Sequence, residues 1–303
     1  MISMKLARTA LAATLIPVLH APPATAADLF VSQNGNDANS CILTSPCLTL
    51  TRAISRNEAL GGGLEIGCLD GGDYGSNSPI TKSVIIDCSG TDASIFSLTI
   101  NGSGAQVTLR NFTILNLLVS GLVLVNGSLT VDNVHIFKVI NAISAVPTGP
   151  SKLVVKNSIF DYNNAGVVIK PASGGSLTAT FDHVTISGNA GGGFKTDTTT
   201  SGPVVVEIVD SNISYNSGNG VNVVSGASGS NLINLSRDVV ALNGAAGIQA
   251  NGLNAAAIVD TTLLDSNASG ATSVVSGGRL VTYGNNRIIG SPGSGFTSTA
   301  VMQ

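Results

Sequence analysis

The chain has 303 residues, 43% of them hydrophobic and only 10% charged, with 36 glycines and no tryptophan. That apolar content excludes a disordered chain, and beyond the N-terminus no apolar run approaches the roughly 20 residues of a membrane-spanning helix. So little charge suits a β-solenoid, whose outer face Thr, Ser, Asn and Gly can cover, better than a compact globule.

The first element is a targeting segment. Lys5 and Arg8 precede a short apolar stretch, Thr9 to Leu19, and the small-residue motif Ala24-Thr25-Ala26 comes next. This is the order of a secretory signal, so residues 1–26 are expected to be removed and the mature chain to start near Ala27 or Asp28. The expected location is periplasmic, cell-surface or secreted. Removing Lys5 and Arg8 from 14 basic residues leaves 12 against 17 acidic ones, a net charge of −5. That argues against nucleic acid or an anionic membrane as partner.

Residues 28–63 are expected to form a cap. Its cysteines are Cys41 and Cys47, and Cys68 and Cys88 lie just beyond it. There is no CxxC pair, so no metal site is expected, and an exported chain meets an oxidising compartment that favours disulfides. Of the three possible pairings, Cys41–Cys47 and Cys68–Cys88 are favoured. The first closes a tight loop through Pro46. The second spans about one solenoid turn. Residues 48–59 are the one expected helix, with Leu48, Ala53, Ile54 and Leu60 placed on the first rung to cover its sticky β-edge. Asp70, Asp73 and Tyr74 read as a turn.

Residues 64–290 repeat. A landmark recurs at Asn111, Asn133, Asn157, His183, Asp210, Arg237, Thr261 and Asn285, at spacings of 22 to 27 residues. Four and two residues before it, and three after it, every position is apolar or aromatic. The first two share parity in a strand, whereas the third has the opposite parity, so the chain must bend at the landmark. Asn and Asp tolerate the left-handed backbone such a bend requires, and Asn111, Asn133 and Asn157 are expected to stack as an amide ladder. Tyr283 falls at an inward position in this pattern and Thr282 at an outward one. Six residues after the landmark comes a second Asn, at 163, 189, 216, 243 and 267, then a glycine and an apolar residue. Each rung therefore holds about three short strands, and about ten rungs are expected in one solenoid. Residues 291–303 carry no helix signal, and no C-terminal cap is expected.

This pattern resembles the right-handed parallel β-helix repeats of the pectin-lyase-like superfamily. The segments FVSQNGNDANSC, SPCLTLTRAI, DGGDYG and ITKSVII look like the N-terminal cap of its exported bacterial members, and GGRLVTYGNN resembles their last rung. The resemblance spans residues 28–290. It implies an all-β, single-stranded right-handed parallel β-helix with a short disulfide-bonded cap. Its functional implication is broad: polysaccharide lyases, glycoside hydrolases, tailspikes and non-enzymatic surface proteins share the fold.

Catalytic chemistry is sparse in the sequence. Hydrolysis of a glycosidic bond needs paired carboxylates, and the Asn-Thr-Asp, Asp-Asp, Gly-His-Gly and Arg-Ile-Lys motifs that the resemblance would bring are absent. One constellation stands out: Asp182, His183, Asp210 and Arg237 occupy stacked or adjacent positions. It is the candidate catalytic group, although a structural salt-bridged ladder accounts for it as well. The residues just before the landmark, Arg110, Asp132, Lys156 and Asp182, form an alternating-charge ladder and a candidate binding surface. His135 reads as exposed surface, and Tyr162 and Tyr215 lie two rungs apart. The expectation is therefore a non-catalytic exported protein that presents an elongated polar face to a polysaccharide, envelope component or protein. The alternative is a lyase or hydrolase acting on an acidic polysaccharide. No cofactor or metal is expected.

Overall fold

The computed structural model describes residues 28–75, 78–200 and 202–300; the expected signal segment lies outside them. They form a parallel β-solenoid of about nine turns with one helix, against an expectation of about ten rungs. Every pairing between named strands is parallel and joins one turn to the next, as in Ser176–Asp182, which pairs with Pro150–Lys156 on one side and Val204–Val209 on the other. Three sheets run the length of the molecule. Sheet one holds the residues before each landmark and sheet two the residues after it. Sheet three holds the Gly-apolar segments such as Ala165–Ile169 and Val221–Ser225. Among the described residues no helix is long and apolar enough to cross a membrane.

The bends obey the expected backbone chemistry. Seven of the landmarks, Asn111, Asn133, Asn157, His183, Asp210, Arg237 and Thr261, have φ between 48° and 61°. A second left-handed bend lies at Lys138, Tyr162, Gly188, Tyr215, Leu242 and Ser266. One left-handed residue reverses the parity of the strand after it, so the inward columns on either side of a bend are both apolar. Ile114, Ile136, Phe160, Ile186, Ile213, Val240 and Leu264 accordingly stack in register and are buried. Each such burial contributes roughly 1.5–3 kcal/mol.

In every turn before the last, the residue after the left-handed position of each of these two bends points inward, and there the polar ladders form. At the second bend Asn163, Asn189, Asn216, Asn243 and Asn267 are buried. Asn189 Nδ2 donates to Asn216 Oδ1 at 2.8 Å, Asn216 Nδ2 to Asn243 Oδ1 at 3.0 Å and Asn243 Nδ2 to Asn267 Oδ1 at 2.9 Å. Each amide oxygen also accepts the backbone N–H of the preceding Asn. The buried amide ladder is thus here and not at the first landmark. There Asn133 Nδ2 does donate to Asn111 Oδ1, but Asn157 Nδ2 turns to Asp132 Oδ1.

The last turn departs from the expected register. The left-handed residue is Gly284 at φ 83°, one position before Asn285. Parity in the preceding strand therefore shifts, so Leu280 and Thr282 pair with Ala257 and Val259 and point inward. Val281 and Tyr283 are only partly buried, and Ile288 remains 36% exposed at the end of its column.

Both ends are covered. Helix α1, Leu50–Ala59, begins at Thr49, whose side chain accepts from the Arg52 N–H at 3.2 Å, an N-cap. It buries Leu50, Ala53, Ile54 and Asn57, while Leu48 and Leu60 are exposed rather than seated on the first rung. Asn57 is held by the Leu64 N–H and the Ser83 carbonyl. The disulfides are Cys41–Cys47 and Cys68–Cys88, the second joining adjacent rungs. Tyr74 is buried and donates to Asp70, which also accepts from Ser32 and Gln33. At the other end the tail acts as a cap without a helix. Ser298–Thr299 pairs with Val281–Thr282, Gly293 bridges to Thr272, and Phe296 packs against the core.

Candidate functional site

Between its two bends, sheet two narrows to three residues per turn in the central rungs, as in Ile159–Asp161, Thr185–Ser187 and Asn212–Ser214. The middle residue points inward, so the flanking two must point outward. These outward pairs make a narrow face along the axis, bounded by the two left-handed ridges.

At the N-terminal turns this face deepens into a cleft of about 690 Å³. Thr113, Leu115, His135, Phe137 and Ile159 lie on the sheet side, Asn111, Asn133 and Asn157 form one wall, and residues Gly90 to Ser94 close the end. His135 Nε2 lies 2.8 Å from Asp161 Oδ1 on the next rung, and its ring stacks on Phe137 with centroids 4.7 Å apart. The Lys138 ammonium sits 5.7 Å from the centroid of the Phe137 ring. His135 is therefore part of an ordered group rather than isolated surface. Its partner lies 26 residues away, and the only sequence signal was the parity that puts 135 and 161 on one outward face.

The alternating ladder borders the wall of amides. Arg110, Asp132, Lys156 and Asp182 are in register on successive turns, and Asp87 extends the ladder by one turn. Arg110 Nη1 lies 3.9 Å from Asp87 Oδ2. Burial works against the charge of Asp87, but hydrogen bonds from Ser89 and Asn111 outweigh it, and its pKa is lowered. Asp132 accepts from Asn157.

Farther along the first bend the structure brings Asp182, His183, Asp210 and Arg237 together. Arg237 donates from Nε and Nη2 to the two oxygens of Asp210 at 2.8 and 2.7 Å, a bidentate pair. The hydrogen bond from Arg237 holds the Asp210 pKa down, and the same bond raises that of Arg237. His183 Nδ1 contacts Asp182 Oδ1 at 2.5 Å. One ligand atom each from Asp182, His183 and Asp210 falls within 4.8 Å of the others. Both Asp210 oxygens are already engaged by a guanidinium, so an ion there would have to displace Arg237. The cluster is an exposed, charge-paired edge.

One carboxylate carries no signal in the repeat pattern. Asp238 comes directly after the left-handed Arg237 and so points inward, where it is 2% exposed. Its Oδ1 accepts the Ser211 N–H at 2.8 Å, and its Oδ2 has no partner. Burial pushes its pKa up to about 7. The same inner column carries Ser158 and Ser211, whose hydroxyls accept the N–H groups of Val134 and Val184, and Asn286, which accepts that of Thr262. Asp238 therefore fills a structural position in a ladder that satisfies bend N–H groups.

No protein-family model matches the chain, and no curated protein does. Solved structures do match. A pectate lyase, Pel9A, aligns with a TM-score of 0.59 at 15% identity, over 90% of this chain and 76% of its own. A rhamnogalacturonan lyase aligns with a TM-score of 0.53 at 12% identity, over 78% and 73%. The A-module of the mannuronan C-5 epimerase AlgE4 of Azotobacter vinelandii aligns with a TM-score of 0.54 at 14% identity, over 84% and 95%. All three are right-handed parallel β-helix proteins, and this chain shares their fold.

Proposed function

We propose that this is an exported β-helix protein that binds a polysaccharide along the sheet-two cleft without turning it over. The observation that carries this is the cleft itself, an open groove of about 690 Å³ with three amides along one wall and His135 and Phe137 on its floor. Amides donate and accept, which suits sugar hydroxyls, and an aromatic face suits the C–H side of a pyranose. The ladder Arg110, Asp132, Lys156 and Asp182 forms the adjacent rim. Three structural neighbours named for pectate, rhamnogalacturonan and mannuronan support a carbohydrate ligand.

The composition of the cleft supports binding over catalysis. Its lining holds one carboxylate, Asp92, and no Lys or Arg. Hydrolysis requires two carboxylates about 5–9.5 Å apart across the bond. A second reading, β-elimination or epimerisation of an acidic polysaccharide, is favoured by the His135–Asp161 pair. The pair sets an imidazole beside the cleft with a carboxylate 2.8 Å from its Nε2, and Arg110 and Lys156 on the rim supply positive charge.

The test uses the mature, disulfide-intact protein in affinity electrophoresis against a polysaccharide panel, with absorbance monitored for unsaturated products. Retention without product, weakened by Phe137→Ala, is expected. No retention on any polysaccharide refutes the reading. Turnover that disappears in a folded His135→Ala variant establishes the second reading instead.

A further inference from the structure

The ridge on the other side of sheet two carries exposed aromatic side chains that nothing in the fold requires. Tyr162 and Tyr215 occupy the left-handed position of the second bend, at φ 52° and 58°. Other turns fill this position with Lys138, Gly188, Leu242 or Ser266, none of them aromatic. The left-handed region penalises a side chain through its β-carbon, and Gly avoids the penalty. Yet the tyrosines are 70% and 64% exposed, so burial does not offset that cost.

The turn between them is shaped to one of the rings. Gly188 stands at the equivalent position, and a β-carbon there would meet Tyr162 Cε1 at 3.3 Å and Cδ1 at 3.4 Å. The Tyr162 ring therefore lies across Gly188, along the ridge, with the rest of its surface open to solvent. Beneath it the Asn ladder fixes the backbone: Asn189 Oδ1 accepts the Asn163 N–H at 3.0 Å, and Asn216 Oδ1 accepts the Asn189 N–H at 3.1 Å. Asp161, Ser187 and Ser214 are in register just before the bend. The two tyrosines thus stand two rungs apart, about 9.6 Å along the axis.

We propose that Tyr162 and Tyr215 form a stacking platform for a neutral, β-1,4-linked polysaccharide lying parallel to the solenoid axis. The proposal rests on the reading that the neighbouring cleft holds a glycan, and it extends that site along the ridge and names the ligand class. Two observations select the class. Consecutive sugars in an extended β-1,4-linked chain are turned over, so the same face recurs every second residue, a repeat close to two rungs. Charge is also sparse between the rings: residues 185–194 and 212–221 contain no Asp, Glu, Lys or Arg, Asp161 is engaged by His135, and the cation of the same ridge, Lys138, stands one turn before Tyr162 near the Phe137 ring. A polyuronate would find no counter-charge between the two rings, whereas hydroxyls would find the exposed Asn164 and Ser217 beside them.

The experiment is calorimetric titration of the mature protein with cellohexaose, xylohexaose and mannohexaose, with polygalacturonate as the acidic arm. Tyr162→Gly, Tyr215→Gly and the double variant are compared with Phe137→Ala in the cleft. Glycine is at ease at these φ values, so the tyrosine variants should melt no lower than the parent. At least one neutral hexaose is expected to bind, each single variant to weaken it at least about tenfold, and the double variant to abolish it. Loss in the double variant with normal binding by Phe137→Ala upholds the platform and refutes the cleft reading. Unchanged binding by the double variant, with loss in Phe137→Ala, overturns the platform and leaves the cleft standing. Binding of polygalacturonate alone overturns the neutral-ligand assignment, and no binding of any probe overturns both.

Discussion

Replacing Asp238 by Asn should stabilise the protein, and the gain should depend on pH in a defined direction. Asp238 is buried with one oxygen unpartnered, and its pKa is raised from 3.8 to about 7 by burial. A raised folded-state pKa means that the folded protein holds the proton more tightly than the unfolded chain. The stability it contributes is complete below about pH 4 and lost as pH rises through about 7. At about 1.4 kcal/mol per pH unit, the difference between acid and pH 8 has an upper limit of about 4 kcal/mol. Asn keeps an acceptor for the Ser211 N–H, and its N–H₂ stands where the carboxyl would carry its proton. Asn286, in the same column, already uses its amide this way, donating to the Val259 carbonyl at 2.9 Å. Other carboxylates, among them Asp70, Asp87 and Asp197, have lowered pKa values and titrate with the opposite sign. The parent's own pH profile is therefore a composite, and the difference between parent and variant isolates Asp238. Chemical denaturation of both from pH 4 to pH 8.5 should show near-equal stability at the acid end and an advantage for Asp238→Asn that grows through pH 7. A difference that is constant with pH, or a variant less stable throughout, would refute the argument by showing that Asp238 stays ionised and compensated, with Arg237 as its counter-ion.

Ile186→Asp or Ile213→Asp places a charge in a fully apolar column, and each should cost at least about 4 kcal/mol, read as loss of the cooperative melting transition. Asn216→Ala strips the partners from the Asn189 N–H and side-chain amide and from the Ile186 carbonyl. It should cost about 2–4 kcal/mol, against a negligible change for the exposed Asn164→Ala. Intact mass under non-reducing conditions should show no free thiol in exported protein. Loss of Cys68–Cys88 should raise hydrogen exchange in the first turns and leave residues 204–282 unchanged, because a solenoid's contacts are between neighbours.

The solenoid was legible in the sequence because one left-handed residue per bend couples two parities. Apolar residues two before and three after a landmark fit no straight strand. The same rule shows why the amide ladder was placed one bend early. A left-handed residue directs its side chain outward and the next residue points inward. Asn111, Asn133 and Asn157 are left-handed themselves and face solvent, whereas Asn163, Asn189 and Asn216 come directly after a left-handed residue and are buried. The last turn departs from the repeat because Gly284 takes the bend one residue early, and no consensus apart from the glycine itself announces that. The candidate sites were less legible. Asp210 and Arg237 meet as their stacked positions suggest, but the pairing of His135 with Asp161 crosses between two outward columns as well as between two turns, and a single-column search does not find it.

The carboxylates also separate two roles that a search for unusual acidity would merge. A general acid in glycan hydrolysis must hold its proton near neutral pH and must reach the substrate. Raised pKa values mark candidate active sites in general, and Asp238 carries one. Asp238 lies beneath the first bend, however, bonded to a backbone N–H, with the side chain sealed from the cleft. Two accessible carboxylates on that edge are shifted the other way. Asp210 is held ionised by Arg237, and Asp260 by hydrogen bonds from Asn285 and Thr261. Acidity and access thus fall on different residues of the same bend. The separation is a consequence of the fold: the position that buries a side chain is one residue removed from the position that exposes it. Stacking like charges on the outer face is one way a β-helix can raise the pKa of an accessible carboxylate, and here the stacked positions 110, 132, 156 and 182 alternate in sign. That alternation keeps like charges apart on successive turns of the outer face.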